Sequence, residues 1–268
     1  MTKRRRQPSK TRPPANQTKS SVAAAARSRV RPVGRSPSPL TRHAVVAVVA
    51  AVVLWAFWAS RPRWDAEMRL WKAFGDTAFV LLLVTLALGP LARLVRTATR
   101  FLRWRRQFGI WFAIVAGIHG TLVIHGWARW SLRRFLGYEV VPQLGREVRL
   151  EPGFGLSNLI GLVALVFALV LAATSSDRAV RRLGVASWKW LHHSALFVFY
   201  LSLLHAGYFL FLHYTMSFHK AVPAPDWFRL PFVVLGGALV VLQVAAFVRT
   251  AGRAAGRPSA RTQLDGSV

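Results

Sequence analysis

The sequence predicts an all-α integral membrane protein, built as a bundle of six transmembrane helices. Hydrophobic residues make up 53% of the 268-residue chain, and 37 Lys and Arg residues fall mainly between apolar runs and at the two ends. A helix needs about 20 apolar residues to cross a bilayer, and the apolar runs approach or reach this length. There are six such runs: 44–59, 73–91, 108–127, 154–174, 190–211 and 230–248.

The first run is the shortest of the six, and its aromatic residues support its assignment as a span. Trp55, Phe57 and Trp58 lie near its end. Aromatic side chains of this kind collect at membrane–water interfaces. We therefore count 44–59 as a transmembrane helix.

Basic residues set the expected orientation. With the amino terminus inside, the inner segments carry 26 Lys and Arg residues and the outer loops carry 11. The excess of positive charge on the cytoplasmic side predicts that both termini lie inside. The net charge of +28 would also suit a nucleic-acid-binding protein, but its position between the spans indicates contact with anionic lipids instead.

Composition predicts three regions. Residues 1–42 hold twelve Lys or Arg, no acidic residue and many Pro and Ser, which predicts a disordered cytoplasmic tail and no cleaved signal peptide. Residues 43–248 form the six-span domain, and 249–268 form a cytoplasmic C-terminal tail. The tail is too short for a flavin or nicotinamide domain. The absence of cysteine excludes iron–sulfur clusters and covalently attached haem.

Histidines within the apolar runs are the candidate functional residues. His119 and His125 lie in the third run, and His192, His193 and His205 in the fifth. Ionisable side chains in a membrane usually face the interior of a bundle, and neutral imidazole is an axial ligand of haem iron. The alternative is a set of histidines that hydrogen-bond between helices. His43, His213 and His219 lie at the membrane edges, where we expect them to be solvated.

Depth pairs His119 with His205. His119 lies 13 residues beyond Arg106, or about 20 Å into the membrane. His205 lies 16 residues beyond Lys189, or about 24 Å. The two side chains therefore share the outer half of the bilayer, and we predict that both bind one haem iron between the third and fifth helices.

The other three histidines receive different predictions. In a straight helix His125 points about 120° away from His119, so it is at most an accessory or interfacial residue. His192 lies near the cytoplasmic face as part of an inner redox site. A partner on the third helix would fall near Gly109, where there is no histidine. His193 is a possible accessory residue with no assigned role.

Several stretches together resemble the ferric reductase-like transmembrane domain family, and within it the haem-binding membrane subunits of periplasmic methionine sulfoxide reductase systems. They span most of 75–210, and no single one is specific. The stretches are "GDTAFVLLLVTLALGPLAR" (75–93), "RRQFGIW" (105–111) leading to His119, "LAATSSDRAVRRLG" (171–184) and "WKWLH" (188–192) followed by His205.

The resemblance implies a function and matches His119, His192 and His205 to the family's haem-associated histidines. It implies b-type haem, allows flavin mononucleotide (FMN) as a second cofactor, and implies location in the bacterial inner membrane. Electrons would come from the quinone pool or a cytosolic flavin reductase and pass to a periplasmic molybdenum-containing reductase subunit. The chain would then be a redox subunit of an oxidoreductase system and not a complete enzyme.

Three alternatives remain open at the level of sequence. A quinol-oxidising cytochrome would need two matched histidine pairs. A stand-alone ferric reductase or superoxide-forming oxidase would use the same haem with iron or oxygen as the acceptor. A non-redox transporter or assembly factor would bind no haem.

Overall fold

The predicted six-span, all-α architecture is confirmed. Among residues 37–149, 152–213 and 225–255, which the computed structural model describes, six helices are long and apolar enough to cross a membrane. They extend over Pro39–Ala59, Ala66–Leu94, Arg96–Trp127, Gly153–Ala173, Val185–His213 and Arg229–Arg253.

The spans are built from regular helices with local changes of winding. The α-helices are α1 (Pro39–Ala59), α2 (Ala66–Leu94), α3 (Arg105–Leu122), the short α4 (Leu132–Phe135), α5 (Pro152–Ala173), α6 (Asp177–Leu183), α7 (Val185–His193), α8 (Ala195–Gly207) and α9 (Arg229–Ala255). A 3₁₀ segment, Arg96–Trp104, precedes α3. π-Helical turns, Val123–Trp127 and Tyr208–His213, extend α3 and α8.

Helix α2 lies at the centre of the bundle. In its most apolar stretch of 18 residues, 50% is buried inside the protein, whereas the buried share of the corresponding stretch is 17–28% in the other spans. It packs against α3, α8 and α9. Its first turn is capped by the Asp65 carboxylate, which accepts from the backbone N–H groups of Glu67 and Met68. The other spans leave much of their apolar surface on the outside, as expected of helices that face lipid.

The fifth span is not the single straight helix that the sequence predicts. Helix α7 ends at His193 and α8 begins at Ala195, with Ser194 between them. The Ser194 hydroxyl donates to the Leu191 carbonyl at 2.6 Å, so this side chain competes with the helical hydrogen bonds at the break. The relative direction of the His192 and His205 side chains therefore cannot be worked out from the geometry of a straight helix.

A β-hairpin in the loop between α3 and α5 has no counterpart in the sequence prediction. Strands β1 (Tyr138–Val141) and β2 (Arg146–Arg149) pair antiparallel, with Tyr138 opposite Arg149. Gly145 adopts φ 57° in the connecting turn, a conformation that favours glycine. Strands of four residues with mixed charge give too weak an alternation to be recognised from sequence.

Some of the sequence predictions lie outside the described residues. These are the N-terminal tail over 1–36, the loop over 214–224 that contains His219, and the C-terminal segment 256–268. The disorder of the tail therefore stays a prediction. The domain boundaries at 42 and 249 also stay predictions.

Candidate functional site

A large cavity lies among α2, α3, α5 and α8, with the beginning of α9 at one side. Including its opening to solvent, the space measures about 1510 Å³. Its wall is mainly apolar, with aromatic rings and small residues side by side: Ala78, Phe79, Phe112, Ala116, Gly120, Val123, Phe154, Gly161, Ala164, Leu165, Ala206 and Phe209.

Both predicted outer histidines line this cavity and approach each other. The ring centroids of His119 and His205 are 6.4 Å apart, with an interplanar angle of 75°. A metal–imidazole bond is about 2.0 Å long, and the ring centroid lies roughly 1 Å beyond the nitrogen, so two axial imidazoles on one iron have centroids about 6 Å apart. The observed separation matches that requirement.

The hydrogen bonds of the two rings leave the same nitrogen available. Nδ1 of His119 lies 2.9 Å from the Trp71 carbonyl oxygen, and Nδ1 of His205 lies 2.8 Å from that of Ser157. A carbonyl oxygen only accepts, so each Nδ1 carries the proton and donates. Each Nε2 therefore keeps its lone pair, and the Nδ1 bond fixes the orientation of the ring, as is usual for histidines that bind metals.

Two glycines make room for these rings. A Cβ at Gly161 would lie 2.6 Å from His205 Nδ1, and one at Gly75 would lie 3.1 Å from His119 Cε1. Each glycine is four residues after the helical residue whose carbonyl accepts from the histidine, Ser157 or Trp71. Residues four apart lie on the same helix face, so the missing side chain leaves that carbonyl accessible.

Sequence reasoning missed these four positions. Gly75 opens the stretch "GDTAF", which carried the family resemblance but no assigned role. At Gly161 the pattern in the sequence is a serine followed by a glycine four residues later in an apolar helix. This pattern does not indicate a site until the histidine that faces it is known.

The end of the cavity near Asp226 carries a cluster of four charged side chains, which we call the ion cluster: Arg61, Lys72, Asp76 and Asp226. Arg61 Nη2 lies 2.6 Å from Asp76 Oδ2 and 2.9 Å from Asp226 Oδ1. Lys72 Nζ lies 2.9 Å from Asp226 Oδ2 and 3.6 Å from Asp76 Oδ1. Arg61 is only 2% exposed, so the cluster is a buried link between the end of α1, α2 and the segment before α9.

Asp226 stays ionised in this cluster. Burial by itself would raise its pKa, but the cations of Lys72 and Arg61 outweigh burial and lower the pKa of the carboxyl below its ordinary value. The stabilisation that results is present above the ordinary pKa and is lost as the pH falls through the lowered one.

His125 and His193 do not line the cavity. Both are exposed. His125 Nδ1 accepts from Trp130 Nε1 at 3.2 Å, in a turn after α3 in which Arg129 and Trp130 both have positive φ. An accessory role for either residue stays a prediction that no observed contact with the cavity supports.

The expectation that the His213 side chain is solvated was wrong. Its side chain is buried, with the residue 7% exposed, and it lines the cavity with its ring centroid 5.2 Å from that of Phe154. The fifth span continues past Gly207 in the π-helical turn Tyr208–His213, and this turn brings the ring inward. π-Helical turns often occur at functional sites, and here one follows each histidine-bearing helix of the cavity.

His192 lies in a different environment. Its ring stacks on Trp188, with centroids 4.1 Å apart, and its Nε2 lies 3.3 Å from Thr174 Oγ1. That hydroxyl also lies 2.8 Å from the Val170 carbonyl, and its single proton goes to this shorter contact. Thr174 Oγ1 therefore accepts from His192 Nε2, the reverse of the arrangement at His119 and His205.

No second imidazole faces His192 within the described part of the chain. Gly109, where a partner would fall, faces Thr85 instead. Arg105 and Arg106 of α3 lie within electrostatic range of the ring. Arg106 also bonds Asp177 at 2.6 Å, which lowers the pKa of that carboxyl. The neighbourhood of the His192 ring is therefore cationic, and the nearby charges come from α3.

Comparisons with known proteins agree with this architecture. Residues 74–203 match the family described as ferric reductase like transmembrane component. A protein of Klebsiella pneumoniae (strain 342), named protein-methionine-sulfoxide reductase heme-binding subunit MsrQ, is 31% identical over 186 residues, which is 68% of this chain and 82% of that protein. The chain belongs to the MsrQ group of the ferric reductase-like family.

Other MsrQ proteins show the same relationship. The MsrQ of Cronobacter sakazakii (strain ATCC BAA-894) is 31% identical over 68% of this chain and 82% of its own length. The MsrQ of Polaromonas naphthalenivorans (strain CJ2) is 26% identical over 62% of this chain and 71% of its own length. The ferric reductase-like match includes His119 and His192 and ends two residues before His205.

Proposed function

We propose that this MsrQ-family chain is a b-type haem subunit that carries electrons across a bacterial inner membrane, with His119 and His205 as the axial ligands. The observation that carries the proposal is the convergence of these two imidazoles at 6.4 Å, each with Nδ1 bonded to a carbonyl and Nε2 left as a lone-pair donor. The names of the relatives, which call them heme-binding subunits, support the same cofactor.

The donor set and the space around it fit a haem. Two neutral imidazoles supply the axial nitrogens, Gly75 and Gly161 provide the clearance that the rings need, and the apolar wall suits a porphyrin face. When bound, the iron would gain and lose one electron without transfer of an atom. The protein residues orient the imidazoles, exclude water and hold the two protons on Nδ1.

We propose that electrons pass from the cytoplasmic side outward. The 26 basic residues assigned to the inner segments, against 11 outside, support cytoplasmic termini, and with that orientation the His119–His205 cavity would lie in the outer half of the membrane. We propose the quinone pool or a cytosolic flavin reductase as electron donor. As acceptor we propose a periplasmic MsrP-like molybdenum protein, in line with the methionine sulfoxide reductase system named for the relatives.

His192 marks the proposed site of electron uptake on the cytoplasmic side. It combines a stacked aromatic partner, Trp188, with nearby cationic charge from Arg105 and Arg106. Such a surface suits the phosphate of FMN or a quinone headgroup. We therefore propose an electron-transfer role for His192 that does not require it to bind iron.

An optical spectrum of the purified protein tests the cofactor. We expect a b-type pyridine haemochrome and the low-spin spectrum of an iron with two imidazole ligands. Protein that carries no haem after expression with adequate haem supply would contradict the proposal and favour a transporter or assembly factor.

Reoxidation of the reduced protein tests the acceptor. Membranes are reduced anaerobically and then given either a periplasmic molybdenum reductase with methionine sulfoxide, ferric citrate alone, or oxygen alone. Fast reoxidation only in the first mixture supports the proposed partner. Equally fast reoxidation by ferric citrate or oxygen alone would indicate the stand-alone ferric reductase or oxidase.

A further inference from the structure

We propose that Lys72 and Trp127 form a carboxylate-binding rim at the end of the cavity near Asp226, which takes the propionate groups of the haem and fixes the orientation of the porphyrin. The inference rests on the proposed haem in this cavity, and it adds which edge of the haem faces the ion cluster.

The two rim residues lie at the same end of the cavity. Helices α2 and α3 run antiparallel, because Gly109 faces Thr85 whereas Gly126 faces Trp71. Lys72 therefore lies beside the end of α3 where the π-helical turn Val123–Trp127 carries Trp127, and both side chains line the cavity.

Polarity divides the cavity along its length. Towards the other end, α2 and α3 contribute Phe79, Phe112 and Ala116, and α5 contributes Ala164. A haem b molecule has its two carboxylates on one edge and apolar substituents on the opposite edge. A buried carboxylate is strongly disfavoured without a cation or donors, so the carboxylate edge must lie towards the charged end.

Within the described residues, Lys72 has donor capacity left for such a ligand. An ammonium group has three N–H donors; Nζ lies 2.9 Å from Asp226 Oδ2, whereas its 3.6 Å contact with Asp76 Oδ1 is an ion pair longer than a hydrogen bond. Arg61 holds the same two carboxylates at 2.9 and 2.6 Å, so these acids are shared between two cations. The ion cluster therefore fixes the ammonium at the rim while leaving it able to receive another anion.

Trp127 supplies a second donor. Its indole Nε1–H is buried and makes no hydrogen bond within the described chain. An indole nitrogen can only donate, and a buried donor without an acceptor is destabilising. A carboxylate at the rim would satisfy this group. By contrast, two other polar side chains of the wall are already engaged: Asn158 donates to the Phe135 carbonyl and Ser202 to that of Val198.

The test compares haem b with its dimethyl ester, in which both propionates are blocked. Haem-free full-length protein in lipid nanodiscs is titrated with each porphyrin, and the low-spin spectrum reports binding at the two histidines. We expect wild-type protein to prefer haem b by roughly ten- to hundredfold, the scale of a hydrogen bond to a charged group.

Variants assign that preference to the rim. Lys72→Met and Trp127→Phe should weaken binding of haem b and leave binding of the ester unchanged, so the preference falls. Lys72→Arg should retain it. The matched control is Arg69→Met, which removes the same charge from the same helix at a half-buried residue that bonds the Trp58 carbonyl and does not line the cavity.

The outcomes separate the rim from the haem site itself. If wild-type protein binds both porphyrins in low-spin form with equal affinity, the proposed rim is wrong but the proposed haem site stands. An unchanged preference for haem b in Trp127→Phe would also show that the rim is wrong, and this variant is the deciding test if Lys72→Met yields no folded protein. Wild-type protein that gives the low-spin spectrum with neither porphyrin would overturn the proposed function and the rim with it.

Discussion

The two ends of the bundle use histidine in opposite ways. In the cavity, His119 and His205 converge, and each donates from Nδ1 to a carbonyl of a neighbouring helix. At the other end of the bundle, His192 has no facing imidazole in the described chain and donates from Nε2 to Thr174. In the first arrangement Nε2, the nitrogen that usually binds haem iron, keeps its lone pair in both rings. In the second arrangement Nε2 carries the proton and is engaged as a donor.

The difference teaches that residue type and depth alone do not make a ligand. His119, His192 and His205 all lie in apolar spans, and the sequence resemblance alone implies the same haem-associated role for all three. What separates them is the neighbouring helix, which either supplies a carbonyl and a glycine or supplies a hydroxyl. The following three predictions test this contrast, in order of decreasing effect on haem content.

Removal of either converging imidazole should have the largest effect. We expect His119→Ala and His205→Ala each to lose most of the bound haem, because one axial ligand leaves a five-coordinate iron that exchanges. His125→Ala is the matched control on α3 and its π-helical extension, and it should keep its haem. The ratio of haem to protein after purification measures the effect. Loss of haem from His125→Ala with retention in His119→Ala would reverse the assignment.

Side chains at the two glycines should have an intermediate effect. Gly161→Ala places a Cβ 2.6 Å from His205 Nδ1, so we expect it to weaken haem binding by about 1–3 kcal/mol, the usual range for overpacking. Gly75→Ala, with 3.1 Å to His119, should weaken it less. Haem titration of the haem-free protein measures both.

Gly117→Ala is the control for the glycine series. It lies on α3, and nothing lies within 4 Å of its added Cβ. It should bind haem as wild type does and should gain slightly in stability from the higher helix propensity of alanine. Equal effects of the three substitutions would show that the clearance at the histidine rings does not matter.

Substitution of His192 should have the smallest effect on haem content. We expect His192→Ala to retain the haem and to slow reduction by a flavin reductase about tenfold, the scale at which groups near a redox centre act. Reduction by dithionite in the same membranes should be near normal. Loss of about half the haem from a protein that holds two would make His192 an axial ligand.

Much of the architecture is predictable because the bilayer imposes it. A span needs about 20 apolar residues, so six spans are visible in the sequence. The rise per residue then places His119 and His205 at similar depths. The break at Ser194, the hairpin and the buried position of His213 were not predicted. They depend on local hydrogen bonds and on winding changes that leave hydropathy almost unaltered.

The sequence by itself determined the fold class, the family and the two histidines that meet. Only the tertiary structure decided how those histidines are held. The bonds from His119 to Trp71 and from His205 to Ser157 each join residues 48 positions apart, and Arg61 bonds Asp226 across 165 positions. Such contacts depend on which helix faces which. Hydrophobic periodicity fixes the spans but does not fix their neighbours, so the glycine clearance, the free ring nitrogen and the ion cluster appear only once the helices are packed.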